Sequence, residues 1–438
     1  MSINSTKRNL KTFAIIWFGQ TISMLGSSMS RFALGIWVWQ LTGRATDLAL
    51  FGFFSQLPQI FTFLISGTIV DRWNRKFLMI AGDLIAGLFT IIILILYSTE
   101  QLQIWHLYLA RAITGIFEQC QNLAFSTSIS ILVSKQHYSR ASSMGFLAKY
   151  GSNIIAPALA SVLYVTIELD GIMLIDIITF MVAITMILWI RIPQPKQRVL
   201  NAEKPLSIGK DLSFGWNYLT KHASLLYLLV LISLFWLFHD LGNSLYPAMI
   251  LARSNNDPRV LGSLASAAGV GGVTGALLMS KWSGFKRRIN GVQLGVIGAG
   301  LSKTIFGLGT TPLVWIPMQF CSSFNFPVFG SSLDAIWLSK VSSERQGRVF
   351  ATRSMIVTII SSLSYLISGP LADRLFEPAM RSGQWLASIF GWLLGTEKGS
   401  GIALLYVICS LAMLLIGLGG YALPRLRNLE LLIPDDDH

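Results

Sequence analysis

The sequence predicts an all-α membrane protein, with twelve transmembrane helices in two pseudo-symmetric six-helix halves. Of the 438 residues, 53% are hydrophobic and 13% are charged, whereas water-soluble chains carry roughly 25% charged residues. The mean hydropathy is +0.59. Apolar runs long enough to cross a bilayer recur along the whole chain, and short patterns from the first half return in the second. These observations exclude a large water-soluble domain.

Each predicted crossing is a helix, because lipid cannot satisfy exposed backbone polar groups. A spanning helix needs about 20 mostly apolar residues. The first apolar run is too long for a signal peptide and is followed by more apolar sequence. The predicted segments are 13–39, 48–70, 78–99, 104–133, 142–166, 171–190, 223–251, 260–282, 290–309, 313–340, 349–371 and 400–423.

A long connection, 191–222, contains prolines and many charges and divides the chain into an N-terminal half, 1–190, and a C-terminal half, 223–438. The halves echo each other. "VSKQHYSRA" follows the fourth segment and "VSSERQGRV" follows the tenth, and each leads into a helix that contains a proline. We interpret this echo as a duplication. Parallel six-helix halves with a midplane site between them are typical of transporters.

The basic residues indicate the topology. With the N-terminus in the cytoplasm, 23 of the 34 Lys and Arg residues fall in cytoplasmic segments and 6 fall outside. This bias predicts that both termini and the central linker are cytoplasmic. The basic residues are spread over many short segments, so nucleic acid is not an expected partner.

No enzyme or cofactor signature is recognisable. The three cysteines lie in apolar runs without metal-binding spacing. The glycine-rich stretch "GVGGVTG", 269–275, lies inside an apolar helix, where it predicts close helix packing. No phosphate-binding loop with a lysine is present. We therefore expect no metal, no cofactor, no enzymatic activity and no direct use of ATP.

A charged stretch lies between two segments that are apolar enough to cross a membrane, in the sequence "SGTIVDRWNRKFLMIAGD" at 66–83. It resembles the loop signature between helices two and three of the major facilitator superfamily, at Gly67, Asp71, Arg72, Arg75 and Lys76. The resemblance extends to Arg111 and Gly115 in the fourth segment. Stretches such as "LTGRAT" and "GPLADRLFEPAM" resemble the branch that contains macrolide efflux proteins and the enterobactin exporter.

The resemblance implies a gating role for the charged stretch, for Gly115, and for the echoed Arg140 and Arg348. Asp71 is expected to accept hydrogen bonds from the N-terminus of the eleventh helix, where the helix dipole is positive. Acidic partners considered for the basic residues are Asp83 and Asp334. The alternative is that the basic residues only keep the loop in the cytoplasm.

Charges inside predicted helices point to a cavity, because they are costly in lipid. Arg31 lies in the first segment. Arg111, Glu118 and Asn122 share a face of the fourth. In the family that this chain resembles, helices one, four, seven and ten line the central cavity.

The seventh segment carries His239, Asp240 and Asn243. A carboxylate held away from water can exchange a proton near neutral pH. Glu118 is the first candidate for this role and Asp240 the second. The alternative is that both are permanently paired with Arg31 and Arg111. Lys303 and Arg353 are expected to reach the membrane surface or to pair locally. Asp176 is given no role.

Aromatic side chains suited to a large amphipathic molecule are Phe125, Trp236, Phe324 and Phe329. The sequence thus predicts a secondary active transporter, a proton-coupled exporter of amphipathic drug, macrolide or siderophore-like molecules that works by alternating access. The expected partners are the small-molecule substrate, protons and the lipid bilayer, with the protein a monomer in a bacterial plasma membrane. The alternatives are an importer or a lipid flippase on the same fold, or a membrane receptor.

Overall fold

The computed structural model describes residues 10–72, 74–133, 138–190, 208–282 and 284–432, and within these ranges the chain is helical without β-strands. A π-helical turn, Ala372–Phe376, lies between the α-helices that end at Leu371 and begin at Glu377. The helices are α1 (Leu10–Thr42), α2 (Ala45–Arg72), α3 (Arg75–Ser98), α4 (Ile104–Leu132), α5 (Tyr138–Thr166), α6 (Glu168–Trp189), α7 (Ile208–Lys221), α8 (Ala223–Arg253), α9 (Pro258–Lys281), α10 (Arg288–Leu308), α11 (Pro312–Lys340), α12 (Ser343–Leu371), α13 (Glu377–Ala379), α14 (Trp385–Leu394), α15 (Ser400–Ala422), α16 (Pro424–Arg427) and α17 (Leu429–Leu432).

Twelve of the described helices have the length that a membrane crossing requires, and each coincides with one predicted segment. They range from 21 residues in α10 to 33 in α1. At about 1.5 Å per residue the shortest spans roughly 30 Å, the thickness of the hydrocarbon core. By length and composition alone, seven described helices are able to cross a membrane: α3, α6, α8, α9, α10, α12 with its continuation to Ala379, and α15. The all-α membrane prediction is confirmed.

The helices form two compact units. Unit 1 comprises Met1–Val38 and Phe54–Pro205, and unit 2 comprises Trp39–Phe53 and Leu206–His438. The end of α1 and the start of α2 therefore pack with unit 2, although they precede most of unit 1 in the chain. The division into halves 1–190 and 223–438 with a linker at 191–222 is kept as a proposal.

Each unit has its own apolar core. Because lipid tails are as apolar as these side chains, close packing rather than exclusion of water holds membrane helices together. In unit 1 the core side chains are Phe13, Ile16, Leu78, Met79, Ala124, Leu132, Val133, Ala141, Ile187 and Ile190. In unit 2 a larger core joins α7, α8, α10, α11, α12 and α15 around Phe235, Phe329 and Trp337.

The predicted linker contains an amphipathic helix, α7, that packs in unit 2. Leu219 of α7 is fully buried in the unit 2 core. Gly215 lies so close to α12 that an added Cβ would overlap with the side chain of Thr352. The guanidinium of Arg348 lies 4.0 Å from the ring centroid of Phe214. The part of the linker from residue 208 onward is thus a packed element.

Side-chain caps start α3 and α9. Asn74 accepts hydrogen bonds from two backbone N–H groups in the first turn of α3. Asp257 accepts one from the Arg259 N–H at 2.9 Å, and Pro258 occupies the first helical position of α9. The guanidinium of Arg259 also donates to both Asp257 oxygens and holds the pKa of that carboxyl below its usual range. These caps satisfy N–H groups that have no partner within the helix.

Glycines let α9 lie directly against α11. A Cβ on Gly271 would overlap with the carbonyl oxygen of Phe320, and one on Gly275 with that of Phe324. A Cβ on Gly272 would meet nothing within 4 Å. The close helix packing predicted for "GVGGVTG" is confirmed, and it involves one face of α9.

We expect Gly271→Ala to destabilise the protein and Gly272→Ala to leave it unchanged. The added methyl at 271 forces α9 away from the α11 backbone, which costs about 1–3 kcal/mol. Thermal unfolding of the purified protein in detergent measures this difference. Equal unfolding temperatures for parent and both variants would show that the α9–α11 contact does not constrain the fold.

Candidate functional site

An ion pair joins α1 to α4 inside unit 1. Nη1 of Arg31 lies 3.2 Å from Oε1 of Glu118, and Nη2 of Arg31 donates to Oγ of Ser28 at 2.8 Å. The Arg31 and Glu118 side chains are 32% and 46% exposed, so the pair faces open space and not packed core. Glu118 is therefore paired with an arginine in this structure, and its role as a proton carrier stays a prediction.

The arginine and glycine of α4 contact the same part of α2. Nε of Arg111 donates to Oγ of Ser55 at 2.7 Å. One turn later, a Cβ on Gly115 would lie 3.3 Å from both the carbonyl oxygen of Ser55 and Cγ of Pro58. A larger side chain at position 115 would therefore push against α2 beside the Arg111 hydrogen bond.

A buried carboxylate on α3 binds to both α1 and α4. Asp83 is 3% exposed. Its Oδ2 accepts from Nε2 of Gln20 at 2.7 Å, and its Oδ1 accepts from Oγ of Ser23 at 3.2 Å and from Nε2 of Gln121 at 2.9 Å. Gln121 also donates to Oε1 of Gln20 at 2.9 Å. All three donors to this carboxylate are neutral side chains.

A second buried carboxylate, on α6, is bound in a similar way. Asp176 is 3% exposed. Its Oδ1 accepts from Oγ of Ser27 at 3.0 Å, and its Oδ2 accepts from Oγ1 of Thr90 at 3.1 Å. Asp83 and Asp176 are cavity residues that the sequence did not predict. The available signal was their position inside very apolar segments, where an unsatisfied carboxylate is not tolerated.

These groups line one cavity of about 190 Å³ within unit 1. Arg31, Arg111, Glu118 and Asn122, which the sequence predicted to face a cavity, all contribute to its wall. Two arginines and three carboxylates make its surface polar and almost charge-balanced. Its lining residues are Gln20, Ser23, Met24, Ser27, Ser28, Ser30, Arg31, Leu34, Gly82, Asp83, Ala86, Phe89, Thr90, Ile93, Ala110, Arg111, Thr114, Glu118, Gln121, Asn122, Asn153 and Asp176.

In unit 2, the polar residues of α8 lie against α12. Asp240 is 7% exposed and accepts a hydrogen bond from Oγ of Ser361. Nε2 of His239 lies 3.9 Å from Oδ1 of Asp240. Asn243 donates from Nδ2 to the Tyr365 hydroxyl at 3.3 Å. These contacts tie α8 to α12 within this unit.

Two cations that the sequence placed inside helices behave differently. Arg353 pairs with Asp334 at 3.4 Å, so its expected local pairing is confirmed. Lys303 is 5% exposed, and its Nζ lies 3.5 Å from the hydroxyl oxygen of Tyr406. For Lys303, burial between helices contradicts the expectation that it reaches the membrane surface, and its contact with Tyr406 agrees with the alternative that it pairs locally.

The aromatic residues of interest pack in three places. Trp236 and Phe329 belong to one cluster with Phe235, Phe326 and His239, in which the Phe235 and His239 rings stack at 5.8 Å. Phe324 stacks with Phe320 at 6.4 Å. Phe125 stacks with Phe13 at 5.9 Å beside the unit 1 core. Phe329 is itself a core residue, only 3% exposed. Substrate contact by these residues stays a prediction.

Comparison with known proteins decides the family. The family model described as Major Facilitator Superfamily matches residues 16–365. The chain belongs to the major facilitator superfamily. As in other members of this family, its role is transport, so the chain is a multi-pass membrane transporter and not an enzyme.

The transporter has relatives in the branch that its sequence resembled. Macrolide efflux protein A of Streptococcus pyogenes is 24% identical over 365 residues, which cover 83% of this chain and 90% of that protein. Multidrug efflux pump Tap of Mycolicibacterium fortuitum is 22% identical over 443 residues, which cover 98% and 99%. The resemblance to the macrolide efflux branch is thus confirmed.

A solved structure agrees on the fold alone. A bacterial homolog of the human lysosomal transporter Spinster, in an inward-facing and unoccupied conformation, matches with a TM-score of 0.74 at 13% sequence identity. The match covers 98% of this chain and 100% of the other.

The signature that is predicted to gate the transporter lies only partly within the described residues. The side chains of Gly67, Asp71, Arg72 and Arg140 lie outside the described residues. Arg75 donates to the carbonyl oxygen of Thr127 at 2.7 Å. Nζ of Lys76 donates to the carbonyl oxygens of Leu188 and Ile190, at 3.0 and 2.7 Å.

The acidic partners considered for this signature have other contacts. Asp83 accepts from neutral side chains, and Asp334 pairs with Arg353. For Lys76, pairing with a carboxylate is replaced by binding to the carbonyl end of α6, where the helix dipole is negative.

We expect Gln121→Leu to destabilise the transporter through Asp83. Leucine is similar in size but cannot donate, so Oδ1 of Asp83 and Oε1 of Gln20 each lose a hydrogen bond, at a cost of about 1–3 kcal/mol. Asn122→Leu is the matched control, since it changes the adjacent, exposed amide of the same cavity. The test is thermal unfolding in detergent. Identical destabilisation by the two substitutions would show that the Asp83 network does not stabilise unit 1.

Proposed function

We propose that this transporter is a proton-coupled exporter of amphipathic small molecules that works by alternating access. The observation that carries the proposal is the ion pair between Arg31 and Glu118, which lies in the wall of a polar cavity with both side chains partly exposed. Export is supported by the names of the relatives, a macrolide efflux protein and a multidrug efflux pump.

The ion pair supplies a means of coupling. Protonation of Glu118 removes its negative charge and leaves the Arg31 guanidinium available to a polar or anionic group of a substrate. Loss of the proton restores the pair at 3.2 Å and displaces that group. Proton and substrate thereby alternate at one arginine. A ligand shifts an equilibrium between two conformations only by its differential affinity for them, and the protonation state of Glu118 changes that affinity.

Other carboxylates are available for the same role. Asp240, the second predicted carrier, lies beside His239 in unit 2. Asp83 and Asp176 are held by neutral donors in the unit 1 cavity. Uptake of a proton turns one carboxyl oxygen from an acceptor into a donor, so protonation of either aspartate would require the neighbouring side chains to rearrange their hydrogen bonds.

We propose an amphipathic substrate because the residues assigned to its binding include both polar and aromatic side chains. We assign its polar contacts to Arg31, Arg111, Asn122, His239 and Asn243. The aromatic contacts are assigned to Phe125, Trp236, Phe324 and Phe329. The polar set is supported by the position of its unit 1 members in the cavity wall.

The remaining features of the proposal concern gating and surroundings. Asp71 with Gly67, Arg72, Arg75 and Lys76 would hold the cytoplasmic side in one conformation, with Gly115, Arg140 and Arg348 contributing. We propose a monomer in a bacterial plasma membrane with both termini in the cytoplasm, as the distribution of basic residues indicates.

An importer or a lipid flippase on the same fold is the rival proposal. The names of the relatives favour export over both. A non-transporting receptor is set aside because the family match is to transporters. Accumulation of a fluorescent macrolide or dye in cells with and without the protein, and with and without a protonophore, separates export from import and shows whether the proton gradient drives it.

Glu118→Gln should bind substrate and equilibrate it passively, yet fail to concentrate it. Glutamine keeps the size and hydrogen bonding of glutamate but cannot take up a proton. The measurement is transport into proteoliposomes with and without an imposed pH gradient. The variants Asp240→Asn and Asp83→Asn are measured in parallel. Retained accumulation by Glu118→Gln, with loss in one of the other two, would move the proton site to that residue. Full coupling in all three would reject cavity carboxylates as carriers.

Arg31→Ala should weaken binding of an anionic substrate by about tenfold or more and that of a neutral apolar one much less, because a charged hydrogen bond contributes about 1.5–3 kcal/mol. Binding is measured by quenching of tryptophan fluorescence with a matched pair of ligands. Equal losses for both ligands would assign Arg31 to folding instead, which thermal unfolding of the same variant would show.

A further inference from the structure

The same short pattern stands at the ends of two helices, α2 and α12. Residues 66–72 read "SGTIVDR" and residues 368–374 read "SGPLADR". In each, an aspartate follows four residues after a glycine, and an arginine follows the aspartate. The first copy belongs to the gating signature on the predicted cytoplasmic side. The second copy lies at the opposite end of the predicted topology, and its contacts are described.

Asp373 of the second copy caps the N-terminus of α2. Its Oδ1 accepts from the Ala45 N–H at 3.0 Å, and its Oδ2 accepts from the Thr46 N–H at 2.7 Å and from the Thr46 hydroxyl at 2.5 Å. These are first-turn groups of α2, which have no partner within the helix and carry the positive end of its dipole. A carboxylate is the side chain best suited to them.

Gly369 of the second copy allows this approach. A Cβ at position 369 would overlap with Cα of Thr46, so any other residue would push the start of α2 away from α12. The neighbouring Trp39 is held as well, since its Nε1 donates to Oδ1 of Asn256 at 2.8 Å and Nζ of Lys398 lies 5.1 Å from its ring centroid. These contacts explain why residues 39–53 pack with unit 2.

We propose that Asp373 is a positioning residue that holds the turn between α1 and α2 in one transport state and releases it in the other. Residues 39–53 belong by sequence to the first six predicted helices, and Asp373 belongs to the last six. If the two halves move as bodies during alternating access, this contact cannot persist in both states. This step rests on the proposed function. Asp71 of the first copy is predicted to cap the start of α12. It would then hold two helices together at the cytoplasmic side, as Asp373 does at the opposite side.

The neighbouring Glu377 provides a matched control. Its oxygens accept from the N–H groups of Gly399, Gly401 and Ile402, at 2.6, 3.0 and 3.2 Å, where α15 begins. The chemistry is the same as at Asp373, a carboxylate on the first turn of a helix. Both partners, however, lie in the last six predicted helices. Loss of this cap should cost stability without releasing the α1–α2 turn.

The test is a distance measurement by pulsed electron paramagnetic resonance on the full chain. Spin labels are placed at Leu41→Cys and Trp392→Cys, two exposed positions within unit 2, after Cys120, Cys321 and Cys409 have been replaced by alanine. Asp373→Asn keeps the size of the side chain but loses its charge and one acceptor. We expect the ratio of short to long distances to fall about tenfold, as loss of a charged hydrogen bond implies. Asp373→Glu should restore much of the parent ratio.

The controls separate a positioning role from a structural one. Glu377→Gln should lower the unfolding temperature and leave the distances of the parent. The proposal is overturned if Asp373→Asn keeps the distance distribution of the parent, or if Glu377→Gln shifts it equally. A shift of the distances that is confined to Asp373→Asn supports the positioning role. If the reconstituted parent protein shows no proton-driven transport, that result rejects the proposed function and leaves the positioning role in place.

Discussion

Lipid cannot donate hydrogen bonds to a carboxylate on a membrane-spanning helix, so neighbouring helices supply the donors. Unit 1 is organised around this constraint. Asp83 takes donors from α1 and α4, Asp176 takes them from α1 and α3, and Glu118 takes the guanidinium of Arg31 on α1. In each case the side chain that satisfies a charge also fixes the position of a helix, and α1 supplies donors to all three carboxylates.

The way in which each carboxylate is satisfied determines what it can do. Asp83 and Asp176 are 3% exposed and bound by amides and hydroxyls, so a change in their charge alters the packing of several helices together. Glu118 is 46% exposed and bound by a partly exposed arginine, so a change in its charge alters the surface of the cavity. A single cavity thus combines groups that set helix positions with groups that face its open space.

Backbone groups at helix ends are subject to the same constraint. Asp373 supplies acceptors to the start of α2, Glu377 to the start of α15, and Lys76 supplies a donor to the end of α6. Charged residues close to helix ends therefore bind neighbouring helices together, in addition to indicating the topology. At one of these helix ends Gly369 lets the backbones of α12 and α2 meet beside Thr46, and in the middle of α9 Gly271 does the same beside Phe320.

The sequence by itself determined the helices, the family and part of the cavity, because these depend on local patterns. Apolar length predicted each of the twelve long helices, and the spacing of Arg111, Glu118 and Asn122 along one helix predicted that they share a cavity wall. Only the tertiary structure decided the rest. Asp83 meets Gln20 from 63 residues away, and Asp373 meets Thr46 from 327 residues away. Leu219 of α7 packs in a core whose other residues come later in the chain, and Lys303 is buried by neighbouring helices. Such contacts depend on which helices become neighbours in space, and no periodicity within one segment records that.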